Sequence, residues 1–242
     1  VKTVLILGAK SDIAKAIAQK FSNNDFHVTL AARGSNELVD FAKSIQTGNN
    51  KVNTVDFDAI NYKSHSAFFN GLAIKPDVVV LCVGYLGEQE KAQNEFEETE
   101  KLIDTNYTGP VSILEIVAKY MEEKGAGAII GISSVAGDRG RQSNYIYGSS
   151  KAAFSAYLSG LRQRLAKCNV SVLTVKPGFV NTKMTAGLDL PPKLTAQPVQ
   201  VAEQIFKSYK SGKNVVYTKP IWRPIMFVIR NIPEFLFKKL NF

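Results

Sequence analysis

The sequence predicts an α/β protein: a doubly wound parallel sheet of about seven strands with helices on both faces. Three observations predict it. Short aliphatic and β-branched runs alternate with helical patterns at a steady interval through the 242 residues. Runs such as Val78-Val-Val-Leu-Cys-Val83 are continuously apolar instead of alternating, the mark of strands covered on both faces. The first run empties into a glycine turn and then a helical pattern, the unit from which such sheets are wound.

The elements follow in order. Residues 3–7, Thr-Val-Leu-Ile-Leu, read as the first strand, and 12–23 as the helix after the glycine turn. Strand 28–31 leads to helix 35–45, and strand 53–56 to helix 63–72. The apolar run 77–83 is the fourth strand, and one long helix is expected over 96–123. Strand 127–133 precedes helix 143–165, strand 171–176 precedes helix 198–210, and 214–218 is the last strand. Neither an internal repeat nor a Pro/Ser-rich linker interrupts this order, so residues 1–242 are expected to form one domain.

At 45% hydrophobic and 21% charged, the chain can bury a large core, which excludes disordered and fibrous classes. Cys82 and Cys168 stand far apart without Cys/His spacing, so no disulfide framework and no metal site are expected, and a reducing, cytoplasmic setting fits. The opening run Val4–Leu7 is too short for a signal-peptide core, and no stretch approaches a membrane span. The net charge of +9 is uneven: residues 213–242 carry Lys213, Lys219, Arg223, Arg230, Lys238 and Lys239 against Glu234 alone, a net +5. Nucleic acid, a membrane surface or an anionic ligand are the partners such a balance permits. No helix-turn-helix, zinc or stacking motif accompanies the charge, so nucleic acid is not expected.

The first turn reads Leu7-Gly-Ala-Lys-Ser-Asp-Ile-Ala14. Gly8 makes a tight turn after the strand, the helix N-terminus offers N–H groups to a pyrophosphate, and Lys10 adds a counter-charge. A second glycine is usual where Asp12 stands, so Ser11 or Asp12 is read as the helix N-cap, and a plain turn with no ligand remains the alternative. Gly8, Lys10, Ser11, Asp12 and Ile13 are the cofactor contacts expected here. The second strand runs into Ala32-Arg33 where an NAD enzyme places an acid for the ribose hydroxyl. A permanent planar cation suits a 2′-phosphate instead, so NADP(H) is favoured over NAD(H), unless Arg33 is simply a solvated loop residue. Asp56, with Phe57 beside it, either accepts from the adenine amino group or is a plain loop acid.

Tyr147 and Lys151 stand at i and i+4, on one helix face. A free phenol titrates near about 10, and a nearby ammonium favours its anion, which makes Tyr147 a general acid or base. Ser134, at a strand end thirteen residues earlier, is placed to bond the same substrate oxygen. Tyr145 has only Ser149 at i+4 and lacks such support.

With Gly131-Ile-Ser-Ser-Val-Ala-Gly137 and Asn144-Tyr-Ile-Tyr-Gly-Ser-Ser-Lys151, the chain resembles the short-chain dehydrogenase/reductase family over essentially its whole length, which implies a Rossmann-type fold and an NAD(P)-dependent oxidoreductase. The resemblance implies that Tyr147 transfers the proton, that Lys151 lowers its pKa and binds the nicotinamide ribose, and that Ser134 positions the substrate oxygen. Asn106, in Asp104-Thr-Asn-Tyr-Thr-Gly109, would complete a water relay linking Lys151 to solvent. Pro177, Gly178, Val180 and Thr182 of Lys176-Pro-Gly-Phe-Val-Asn-Thr182 would hold the carboxamide. The family's Asn-Ala-Gly turn reads Cys82-Val-Gly84, which keeps Gly84 for approach to the adenosine ribose.

Substrate choice is expected in 184–197, read as a mobile lid, and in the basic aromatic segment 219–242. There Trp222, Ile225, Met226 and Ile229 form an apolar stripe at helical spacing. It either rests on an anionic membrane surface, at the inner face of the membrane, or packs on the core or a second subunit of a homo-oligomer. The tail, with 137–147 and 83–88, is similar to one branch of the family, the decaprenylphosphoryl-2-keto-pentose reductases. That likeness implies a 2-keto sugar on a polyprenyl phosphate, an epimerisation of ribose to arabinose and a flavin-dependent oxidase partner, with Arg139, Arg141, Arg223 and Arg230 as candidates near the phosphodiester. The alternative is a reductase of a soluble ketone or 3-oxoacyl substrate sharing the same catalytic residues. A nucleotide-sugar epimerase would need a further C-terminal domain, and a non-catalytic NADP-binding module would not need the tyrosine and lysine.

Overall fold

The computed structural model describes residues 1–240, so Asn241 and Phe242, the last two residues of the basic aromatic segment, lie outside the described residues. Alternation of β1 (Thr3–Leu7), α1 (Asp12–Ser22), β2 (His27–Ala32), α2 (Val39–Ile45), β3 (Val52–Asp56), α3 (His65–Asn70) and β4 (Val78–Leu81) builds the first half. The second half continues with α4 (Gln89–Asn94), α5 (Phe96–Ile103), α6 (Gly109–Lys124), β5 (Gly127–Ile132), α7 (Tyr145–Leu165), β6 (Val170–Pro177), α8 (Pro198–Lys210), β7 (Val215–Thr218), α9 (Trp222–Asn231) and α10 (Glu234–Phe237).

All seven strands are parallel in the order β3-β2-β1-β4-β5-β6-β7, with Val4 opposite Val28 on one side and Val78 on the other. Successive residues of β1 serve opposite cores. Val4 and Ile6 pack with Ile17 and Phe21 of α1, Ile45 of α2 and Ile205 of α8, whereas Leu5 and Leu7 pack with Phe69 of α3, Val117 of α6 and Phe154 of α7. This two-sided burial is why the strands carry no polar alternation. The chain leaves β1 towards β2 and returns at β4 on β1's other side, so a crevice opens beyond the carboxyl ends of β1 and β4, where open α/β sheets bind ligands.

The expected elements hold, with three differences. The helix expected over 96–123 is interrupted by a π turn at Asp104–Thr108 that turns Asn106 fully inward. Helix α4 lies in a segment with no expected element. The apolar stripe of the tail becomes α9, where buried Trp222 and Met226 pack on Val135 with Ile225, Ile229 and Phe179 around them. The stripe therefore faces the protein's own core, the second of the two readings left open for it.

Candidate active site

Gly8 turns the chain out of β1 with φ 83°, and an added Cβ there would lie 2.8 Å from the Val83 backbone nitrogen, so only glycine brings the turn this close to the end of β4. The Ser11 hydroxyl accepts the Ala14 N–H at 3.1 Å and is the N-cap of α1. Asp12 turns across the crevice, and its carboxylate accepts the Lys183 N–H at 2.8 Å. The first turn of the 184–197 segment is thus tied to the glycine loop. At its far end Lys219 donates to the Thr195 carbonyl at 2.9 Å and Val180 bridges to Ala196. The segment expected to be a lid is pinned at both ends, with half-exposed Met184 and exposed Leu188 on the cavity between them.

Lys10 lies at the other end of the loop and pairs with Glu37 at 2.7 Å beside Gly34. Neighbouring Arg33 is exposed and has no partner among the described residues. Asp56 accepts the Ser35 N–H at 2.9 Å, which holds the turn after β2 against β3. Phe57 lines one cavity with Arg33, Gly34 and Asp56, and its ring is mostly covered. It is buried beneath α3 between His65 and Phe68, with centroids 5.3 and 4.8 Å away, and its N–H extends the sheet to the Ala32 carbonyl. An apolar ring at a strand end finds most of its burial in the core, which leaves Phe57 beside Asp56 with little of its ring accessible.

Beneath Gly84, α7 brings the polar groups together. Ser133 donates to the Lys151 carbonyl at 3.0 Å and docks α7 on β5, while the Ser134 hydroxyl accepts the Ala136 N–H at 3.1 Å and hydrogen-bonds Tyr147. Burial pushes the Tyr147 phenol up, and the Ser134 bond pulls it back down. Lys151 is 3% exposed, so burial lowers its ammonium to about 8. Its Nζ donates to the Ile132 carbonyl at 3.3 Å and lies 5.9 Å from the Tyr147 ring centroid. The serine bond thus eases ionisation of the phenol, and the ammonium beside the Tyr147 ring is held on the Ile132 carbonyl. Tyr145 is exposed on the outside of α7.

Asn106 accepts the Tyr85 N–H and donates to the Tyr85 carbonyl, both at 2.8 Å. These two bonds fix the backbone beyond Gly84 and leave the amide a second lone pair and a second N–H. At that glycine an added Cβ would lie 3.4 Å from Lys151 Nζ. Pro177 ends β6, and Val180 and Thr182 line the cavity with it. Gly178 is required by the tail, since an added Cβ would lie 2.0 Å from the Trp222 ring.

The resulting cavity, about 440 Å³, joins the glycine loop to Ser134, Tyr147 and Lys151. The strand-end glycine, the capped helix and the unpaired Arg33 fit a dinucleotide, with Arg33 and Lys10 at the adenosine end. Two residues of the cavity wall, Arg141 and Asn144, belong to an irregular connection whose faces no periodicity assigns. Of the four arginines expected near an anionic ligand, Arg139 is corrected. Its guanidinium is spent on the tail, donating to the Ile229 and Ile232 carbonyls at 2.7 and 2.6 Å and to Glu234 at 2.8 Å. Arg223 and Arg230 are exposed on α9, and Arg141 alone of the four lines the cavity. Among the described residues no group of His, Cys, Asp or Glu is placed to hold a metal ion, and no helix is long and apolar enough to cross a membrane.

Comparison with known proteins agrees with this architecture. A family model described as short chain dehydrogenase matches residues 2–192. An uncharacterized oxidoreductase of Mycobacterium tuberculosis is 33% identical over 98% of this chain and 96% of its own, and another, of Streptomyces coelicolor, is 34% identical over 99% and 96%. Among solved structures, a short-chain dehydrogenase from Sphingobium yanoikuyae in complex with NADPH superposes with a TM-score of 0.83 at 22% identity, covering 97% of each chain. One from Burkholderia cenocepacia in complex with NADP gives 0.83 at 18%, over 99% of this chain and 97% of that one. The match over most of the chain and the full-length relatives place this protein in the NAD(P)-dependent short-chain dehydrogenase/reductase family, as an oxidoreductase.

Proposed function

We propose that the chain is an NADPH-dependent reductase that converts a ketone to an alcohol. The observation that carries this reading is the meeting of Tyr147, Ser134 and Lys151 on the cavity that the glycine loop opens into. The nicotinamide, when bound, supplies the hydride. The Ser134 and Tyr147 hydroxyls hold the carbonyl oxygen, and Tyr147 gives it a proton. Lys151, charged below about 8, stabilises the phenolate left on Tyr147 and reaches the ribose past Gly84. Asn106 keeps the Gly84–Tyr85 backbone against that lysine.

NADPH is favoured over NADH because Arg33 is unpaired and Lys10 stands beside Gly34, where the exposed Glu37 is readily exchanged for a 2′-phosphate. The Sphingobium and Burkholderia proteins hold NADPH and NADP. For the substrate, the tail supports a 2-keto sugar on a polyprenyl phosphate. With its stripe turned inward, α9 and α10 leave Phe227, Val228, Phe235 and Leu236 exposed among Arg223, Arg230, Lys238 and Lys239, a surface suited to an anionic bilayer. The second reading is a soluble ketone or 3-oxoacyl substrate, and the inward packing of Trp222 and Met226, which withdraws the apolar stripe from lipid, favours it. NADPH oxidation with a polyprenylphosphoryl 2-keto-pentose and with soluble ketones, each with and without anionic liposomes, tests both. The lipid-linked reading predicts turnover of the lipid substrate that liposomes increase, and turnover of soluble ketones alone contradicts it.

A further inference from the structure

The cavity holds a cation that carbonyl reduction does not use. Arg141 lies in the connection from Ser134 to Tyr147, two strands away from the glycine loop, and lines the cavity with Asn144. Its Nε is buried and has no hydrogen-bond partner. Asn144 Oδ1 is orphaned in the same way, as is Nε2 of Gln89, whose Oε1 accepts the Ile146 N–H at 3.1 Å over the first turn of α7. Two of these atoms, on Arg141 and Asn144, lie on the cavity that holds Tyr147, and buried polar groups are nearly always paired.

Among the described residues no carboxylate forms an ion pair with Arg141. The carboxylate nearest in charge terms, Asp138, is already committed, with one oxygen on Lys176 and the other accepting the Tyr217 hydroxyl at 2.7 Å. Arg139, two residues away, shows what a paired arginine looks like in this connection, with an acid, two carbonyls at under 3 Å and an aromatic ring around it. The cavity wall carries Lys10, Arg141, Lys151 and Lys183 against Asp12 alone. Lys10 belongs to the adenosine end and Lys151 to Tyr147. Arg141 and Lys183 remain, and of these Lys183 is exposed to solvent whereas Arg141 is partly buried beside Tyr147. A desolvated guanidinium in that position is completed by an anion on the ligand, whose oxygens its fork matches.

We propose that Arg141 is a substrate-recognition residue that binds a carboxylate or phosphate carried by the ketone, while Asn144 Oδ1 accepts from a substrate hydroxyl. The substrate class is then an anionic, hydroxylated ketone. This rests on the reductase reading above, and the experiment separates the two. With NADPH, kcat/KM is measured for dihydroxyacetone phosphate and acetoacetate beside their neutral counterparts, dihydroxyacetone and acetone, in the wild type, Arg141→Gln and Arg141→Lys. The wild type favours the charged member of each pair. Arg141→Gln loses about 10- to 100-fold on the charged members, mainly through KM, and stays within about threefold on the neutral ones. Arg141→Lys recovers more of the loss with phosphate than with carboxylate, since a point charge replaces the fork. Equal losses on both members, or a wild type indifferent to charge, overturn the proposal. A second arm needs no turnover: the NADPH-saturated protein is titrated with methyl phosphate and with acetate, following cofactor fluorescence. Saturable binding that disappears in Arg141→Gln supports the subsite even if no ketone is reduced, and absence of binding in the wild type overturns it.

Discussion

At Tyr147 two effects oppose one another. Burial favours the neutral phenol, which is the form a proton donor needs, and the Ser134 bond eases its ionisation. Lys151 bears the cost of the arrangement. Its folded value near 8 lies below the ordinary lysine value of 10.5, so between those limits the unfolded chain holds more protons and stability rises with pH. Below about 8 the penalty of the buried charge is fully present, on the order of 3 kcal/mol. Lys151→Met is therefore expected to abolish turnover yet raise the melting temperature of the ligand-free protein by roughly 5–10 °C at pH 7, an advantage that shrinks as the pH approaches 10.5. A variant that melts no higher than wild type at pH 7 contradicts a buried ammonium. At the adenosine end, Arg33→Ala should raise the KM for NADPH about tenfold or more and leave that for NADH nearly unchanged. Equal effects on the two cofactors remove the 2′-phosphate contact.

Elements, not single residues, carry these groups to one place, and the sequence shows some of them better than others. The Tyr147–Lys151 pairing was legible because helical periodicity is local and four residues suffice to place two side chains on one face. The stripe Trp222, Ile225, Met226, Ile229 was legible as a helix face for the same reason, but the surface it would meet was not. That depends on Gly178, more than forty residues earlier, leaving room for the Trp222 ring. The π turn at Asn106 arises from a tertiary contact with Tyr85 and leaves no mark in the spacing of apolar residues. The tail is held in turn by Arg139, which satisfies carbonyls at the end of α9 and lies 3.6 Å from the Phe237 ring centroid. Arg139→Ala is expected to cost about 2–4 kcal/mol, lowering the melting temperature by roughly 5–10 °C and exposing the chain beyond residue 219 to limited proteolysis. Unchanged melting and cleavage would mean that the clamp holds nothing.

For the whole molecule, the sheet order puts the glycine loop of β1, the Gly84 backbone after β4 and Ser134 after β5 along one edge of the sheet, and α7 closes that edge from below. So much follows from the alternating pattern. Which of Arg139 and Arg141 would face the cavity did not, because an irregular connection has no period, and the Asp12–Lys183 tie joins residues 171 apart. The uneven charge also acts at this scale. With exposed Phe227 and Phe235 among the tail's cations, co-sedimentation with anionic vesicles should be measurable at low salt, weaken as salt rises, and be lost in a Phe227→Ser/Phe235→Ser double variant. Binding that ignores both salt and those two rings would contradict the membrane-facing surface. The most direct test of the central claim, that Tyr147 reduces a ketone with NADPH, is NADPH oxidation by Tyr147→Phe beside a fluorescence titration of NADPH binding. Turnover should fall by about 10²- to 10⁴-fold while the cofactor binds as in the wild type, and a variant that still turns over at the wild-type rate would contradict it.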